Sequence, residues 1–564
     1  MKTHKNIPLP ALRAVMIALP ALLLLCSVGP DTVAGGTTTE TTNGVTATVL
    51  FPDSTPAADV TVRLRPSNYI AIPSFAGLTK RAAAITDITT DFRGRFFIDS
   101  VEPGSYTIEV TDNKSVAARI ICEVVPGGDT LDLGAHALAP FARLTGSVAL
   151  DSNTGAMHAA VYGLERSVAV DSLTGAWSID DLPQGAHTVR IASSSRDLGA
   201  AIIDAPPVAA GASDTLNAVR LLSYSGESYT QWAYSRTITI NTSPTGADIS
   251  EDVHRFPLLV RLDASDFGFS GARADGRDVR FAKADGTPLR YEIEQWDPVA
   301  QHAAVWVLMD TVYGNNASQS ITMHWGKADA QDFSNGAVVF DTANGFAAVY
   351  HFQSAAPLHD ATYNANHFRS DLTRAASGAV GDARYFDGAD SMAAPDDPTL
   401  EPSSPTVSCW FKTDGNQDTV AKIINKGHTS PPYMSYTLEL RYDPSIVGFQ
   451  TAKTDSQYHT LESAQTITDR SWTYICGLFN ETTGIGRFFV NGMLNGEFSD
   501  PVPIEYYNAG NYPLYAGCQR GASNTFYKGW LDEVRVENRP RSEAWVRLCY
   551  ESQRHHSRLL AFKK

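Results

Sequence analysis

Through most of the chain, apolar residues recur at every second position in short runs broken by Gly, Pro, Asn and Asp. Val45-Thr46-Ala47-Thr48-Val49, Leu144-Thr145-Gly146-Ser147-Val148 and Arg236-Thr237-Ile238-Thr239-Ile240 all alternate. So does Leu289-Arg290-Tyr291-Glu292-Ile293-Glu294-Gln295-Trp296. A period of two puts one face of each run toward a core, and turn residues at both ends make it a strand. The prediction is an all-β, multi-domain protein. One helix closes it, over 542–553, with Ser542 as N-cap and Trp545, Leu548 and Cys549 on one face. The first residues differ. Lys2, Lys5 and Arg13 precede an apolar run over 14–25, interrupted by Pro20. That is short for a membrane span and reads as a signal peptide.

An internal repeat divides the first half. Residues 94–108 align without gaps on 175–189, pairing Phe96 and Ile98 with Trp177 and Ile179, and Tyr106 and Ile108 with His187 and Val189. Each copy is a Gly turn, a short strand, a Pro/Gly turn and a longer strand. The pattern resembles the carboxypeptidase-regulatory-like, transthyretin-type β-sandwich, which implies two spacer modules over 43–140 and 141–223. Modules this small leave little room for a pocket. Residues 27–43 carry Gly35-Gly36 and a Thr-rich run, the composition of a flexible tether.

The third segment, 230–344, holds Phe256-Pro257-Leu258-Leu259-Val260, Asp278-Val279-Arg280-Phe281, the Leu289–Trp296 run already quoted, and Ala304-Val305-Trp306-Val307. A further strand ends at Gly326. In this order the runs resemble the bacterial domain of unknown function DUF2341, which implies no known activity. The last segment, 345–554, holds Tyr350-His351-Phe352, Tyr385-Phe386-Asp387-Gly388, Val407-Ser408-Cys409-Trp410, Val490-Asn491-Gly492 and Gly529-Trp530-Leu531-Asp532-Glu533-Val534-Arg535. This set resembles the LamG/concanavalin A-like jelly roll, a two-sheet sandwich.

Charge and cysteine content narrow the partners. The formal net charge of -16 repels phosphate backbones, so nucleic acid is an unfavoured partner. The apolar run ends Leu24-Leu25-Cys26 and resembles a bacterial lipobox, although Leu25 stands where a small residue is usual. The resemblance implies lipidation at Cys26, export, and anchoring at the outer membrane or cell surface. Ordinary cleavage near 34–36 is the alternative. The other five cysteines, Cys122, Cys409, Cys476, Cys518 and Cys549, lack metal-ligand spacing. Disulfides and buried free thiols both stay open.

No GxSxG, HExxH or P-loop occurs, so no catalytic residue is assigned. Glu292 and Glu294 share a strand face, as residues of ordinary solvated strands do. Asp532 and Glu533, as neighbours, fall on opposite faces and cannot serve together as an acid/base pair. Jelly-roll relatives commonly bind calcium at the sandwich edge, and the motif match points to Asp387, Asp390 and Asp532. Sugar binding would use aromatic rings in loops, here Tyr506, Tyr507 and Tyr512, together with Trp530. Trp410, Trp472 and Trp545 are expected in the core, and His555-His556 in solvent. The expectation is an exported surface protein that binds glycan or another surface polymer through its jelly roll. The alternatives are an adhesive protein without a sugar site and a polysaccharide hydrolase.

Overall fold

The computed structural model describes residues 43–71, 86–99, 101, 104–125, 129–150, 155–195, 197–224, 227–354, 356–369, 373–418, 420–427, 434–441, 443–452, 458–464, 466–502, 512–519 and 524–563. The targeting segment, Cys26, most of the tether, and Tyr506 and Tyr507 lie outside them.

Alternating burial confirms the strand periodicity from the first element: Val45–Leu50 points every second side chain inward. The two repeat copies fold alike. In each, the opening strand sits at the centre of a three-stranded sheet, antiparallel on one side and parallel on the other. The partner sheet has five strands in the first copy and four in the second. Trp177 lies across from Gly146, whose absent side chain leaves room for the indole; a Cβ there would stand 2.5 Å from the ring.

The third unit packs two sheets on each other. One is five-stranded and includes β1 (Tyr234–Ile240). The other is β2 (Val253–Asp263), β3 (Tyr291–Asp297) and β4 (His302–Val312), with β4 in the middle.

The C-terminal unit is a sandwich of an eight-stranded and a six-stranded sheet. The larger sheet contains β5 (Phe346–Tyr350), β6 (Arg374–Ser377), β7 (Asp382–Asp387), β8 (Thr406–Thr413), β9 (Thr473–Asn480), β10 (Ile485–Val490), β11 (Met493–Ser499) and β12 (Lys528–Glu537). Val407, Cys409, Phe411 and Leu531 point into the core shared with the smaller sheet. Trp410, Tyr474 and Phe489 point the other way, into a core shared with the third unit.

That second core joins the two units. The helix α1 (Glu543–Gln553) is capped by Ser542, whose Oγ accepts from the Trp545 backbone N–H at 3.1 Å. Trp545 meets Phe256 of β2 edge-on at 5.1 Å. The backbone N–H of Leu259 donates to Ser552 at 2.9 Å, and the indole N–H of Trp410 to Gln553 at 2.7 Å. The chain then returns as β13 (Leu560–Phe562), which pairs with β1 and completes the third unit's sheet. All five described cysteines are buried free thiols.

Candidate functional site

Two features of the eight-stranded sheet carry polar and aromatic side chains out of the ordinary strand pattern. The first is a row on the same face of the sheet as Trp410, at positions that stay half-buried or exposed. Arg374 opposes Tyr385, Tyr385 opposes Trp530, and Trp530 opposes Lys412. Lys412 in turn lies beside Trp472 at the start of β9, its ammonium 5.0 Å from that ring and 4.1 Å from Trp530. Strand spacing makes the row about 19 Å long. Tyr385, Trp530 and Trp472 are half-buried, and Arg374 is exposed. The Trp530 and Tyr385 rings meet at 4.9 Å.

A charged row runs alongside. Asp387 opposes Lys528, and Asp414 follows on β8's side. Asp414 accepts from Tyr385 Oη at 2.8 Å and from Arg470 at 2.9 Å, with Lys528 Nζ at 3.8 Å. Burial and the Asp414 carboxylate push the Tyr385 phenol up to about 12, so it stays a donor. A platform of rings flanked by cations and one or two carboxylates is a surface for stacking and hydrogen bonding.

The second feature is buried where the two units meet. His351, just after β5, has Nδ1 at 2.5 Å from Glu533 Oε1 and 3.7 Å from Glu294 Oε2, and Nε2 at 3.3 Å from Glu292 Oε2. The Trp306 indole N–H donates to Glu294 at 2.6 Å, and Arg535 to Glu533 at 2.6 Å. Gly381 makes room: with φ +51, a Cβ there would stand 2.4 Å from Glu294 Oε1. Burial and the charge on Glu533 push Glu294 up to about 8. Burial opposes charge on His351, but Glu533 and Glu292 outweigh it and hold its pKa well above the ordinary imidazole value. Burial likewise raises Glu533, but His351 and Arg535 bring it below the usual carboxylate range. Burial keeps Asp532 well above that range.

Several expectations need correcting. Glu292 and Glu294 are not on a solvated face; they are buried between the units. Asp532 and Glu533 do not follow the simple alternation expected of strand neighbours. Glu533 has φ +49 and occupies a β-bulge between the pairs Ser408–Arg535 and Trp410–Asp532, so alternation fails and both carboxyls are buried. Asp387 and Asp390 are neighbours, with the Asp387 N–H 3.4 Å from Asp390 Oδ2. Asp532 stands apart from them: Asp387 opposes Lys528, four residues along β12, about 13 Å away. Asp532 instead accepts from the Val380 N–H at 2.7 Å. Tyr512 flanks the six-stranded sheet, while Trp530 is on the eight-stranded one, so those two do not converge. Trp472 is half-buried in the aromatic row, unlike Trp410 and Trp545 in the core. His351, Trp306 and Arg535 were not singled out by sequence. The signal available was the charged run Asp532-Glu533-Val534-Arg535 inside a strand otherwise built for burial.

Residues 386–547 match the family model of the concanavalin A-like lectin/glucanases superfamily. The C-terminal sandwich is a concanavalin A-like jelly roll. Residues 275–353 match the domain of unknown function DUF2341, a span that includes Glu292, Glu294 and His351. A search of curated proteins finds no match to the chain. Among solved structures, the chain is similar to domain 4 of AbnA, a GH43 extracellular arabinanase from Geobacillus stearothermophilus in complex with arabinotriose. There the identity is 17%, the match covers 36% of this chain and 97% of that one, and the TM-score is 0.31. It is also similar to the Ruminococcus gnavus IT-sialidase CBM40 bound to alpha2,3 sialyllactose, at 13% identity, 30% and 95% coverage and TM-score 0.26. The SAP-like pentraxin from Limulus polyphemus matches at 13% identity, 29% and 78% coverage and TM-score 0.24.

Proposed function

We propose that this is an exported, surface-anchored protein that binds glycans through the accessible aromatic row on its jelly roll's eight-stranded sheet and performs no covalent chemistry. The observation that carries the reading is the Arg374–Tyr385–Trp530–Lys412–Trp472 row. Pyranose rings stack on aromatic faces, and the flanking hydroxyl, carboxylate and ammonium groups offer hydrogen bonds that fix orientation. Four cations, Arg374, Lys412, Arg470 and Lys528, line the platform against Asp387 and Asp414. In a chain of net charge -16 this local positive excess favours sugars bearing carboxylate or sulfate. The two N-terminal sandwiches, read as carboxypeptidase-regulatory-like spacers, and a lipid on Cys26 would hold the jelly roll away from a membrane.

The test is a glycan array probed with the purified chain and with Trp530→Ala. Binding to acidic glycans that the substitution abolishes supports the reading. Silence across acidic and neutral glycans contradicts it. Release of new reducing ends from a bound polysaccharide contradicts the non-enzymatic part.

A further inference from the structure

The buried cluster between the third unit and the jelly roll gathers four carboxyl groups, an imidazole and two guanidiniums in one place. Glu292, Glu294, Asp532 and Glu533 face two guanidiniums, Arg261 and Arg535, whose fields reach the cluster. Carboxyls packed this closely away from water must be neutralised by protons, by neighbouring cations or by a bound ion.

The donor set distinguishes a cation site from a mere acidic patch. Glu294, His351 and Glu533 each present one ligand atom, and the three atoms lie within 4.8 Å of one another. Two carboxylates and one imidazole are the ligand types that zinc and its neighbours take, whereas calcium takes oxygen alone. Tetrahedral zinc with bonds of about 2.0–2.2 Å holds its ligand atoms about 3.3 Å apart. The separations from His351 Nδ1, 2.5 and 3.7 Å, bracket that value.

The surrounding shell is built in the same sense. Ligand carboxylates and imidazoles are normally oriented by outer hydrogen bonds. Trp306 and Arg535 donate to Glu294 and Glu533. Glu292 Oε2 faces His351 Nε2 at 3.3 Å on the side away from Nδ1, the place of the outer carboxylate in a carboxylate–histidine–metal arrangement. Glu294 Oε1, on a side chain with no exposure, makes no hydrogen bond. Buried polar atoms are seldom left so.

We propose that Glu294, His351 and Glu533 bind one divalent transition-metal ion, zinc by its chemistry, which pins the third unit to the jelly roll. Glu294 comes from the third unit, and His351 and Glu533 from the C-terminal sandwich, so the ion would act as a cross-link between them. Glu292 is a positioning residue that sets the imidazole.

The whole chain, stripped by dialysis against a chelator, would be titrated with Co²⁺ as a spectroscopic stand-in and with Zn²⁺, reading visible absorbance and metal content by mass spectrometry. One ion per chain, with bands of low-coordinate cobalt that zinc removes, is the expected result. Glu294→Gln and His351→Gln should abolish uptake, and Glu292→Gln should weaken it about 10- to 100-fold while the circular dichroism spectrum holds. If the first two variants fail to fold, the wild-type titration and Glu292→Gln still decide. A folded wild-type chain that takes up no ion overturns the proposal, as does uptake that Glu292→Gln leaves unchanged.

Discussion

His187 shows how one buried side chain can report on a junction. It is 2% exposed; its Nε2 donates to the Pro183 carbonyl at 2.7 Å, and its Nδ1 accepts from Arg119 of the preceding sandwich at 3.2 Å. Both nitrogens are used by the neutral ring, and a proton on Nδ1 would face a guanidinium. Burial, with Arg119 adding to it, lowers its pKa from 6.5 to about 4. Because the folded pKa is depressed, the unfolded chain binds the proton first as pH falls. The contribution is complete above about 6.5 and is lost between there and 4, on the order of 2–3 kcal/mol. Urea midpoints measured from pH 7.5 to 4 should therefore fall, and fall less in His187→Gln. Gly381→Ala should cost about 1–3 kcal/mol, since the backbone there is left-handed and the added carbon would press on Glu294; thermal unfolding would read it.

At the level of elements, α1 and β13 do more than end the chain. Trp545 on α1 packs against Phe256 and Phe346 from different units. Trp545→Ala should cost about 3–5 kcal/mol, and Ser542→Ala, which removes only the cap, about 1 kcal/mol. Denaturant titration that showed the two substitutions to be equal would contradict this account of the helix. The helix was legible in the sequence because its cap and its apolar face are both local signals. β13 was not: Leu560-Ala561-Phe562 is three residues long, and its partner β1 lies more than 300 residues upstream. The strands and their faces were legible wherever alternation held. It failed at Glu533, where a bulge in β12 buries two consecutive acids. Period-two reasoning has no term for an inserted residue, so the cluster around His351 stayed hidden.

At the scale of the molecule, the units are joined by polar contacts as well as by chain. Arg65 meets Glu165 at 2.8 Å and Arg166 meets Glu109 at 2.7 Å across the two sandwiches, and Arg290 meets Asp197 at 2.7 Å at the next junction. The DUF2341 segment and the jelly roll share one apolar core and should melt as one calorimetric transition, separate from that of the repeats. The resemblances named two of these units from runs of motif, but the aromatic row is assembled across five strands and was visible only in part, through Trp530. Its role is the centre of the functional account. Isothermal titration of the whole chain with an acidic oligosaccharide, beside Trp530→Ala and Lys412→Ala, tests it most directly. The account predicts measurable heat for the wild type and at least a tenfold loss of affinity in each variant. Equal affinity in all three would show that the sugar binds elsewhere.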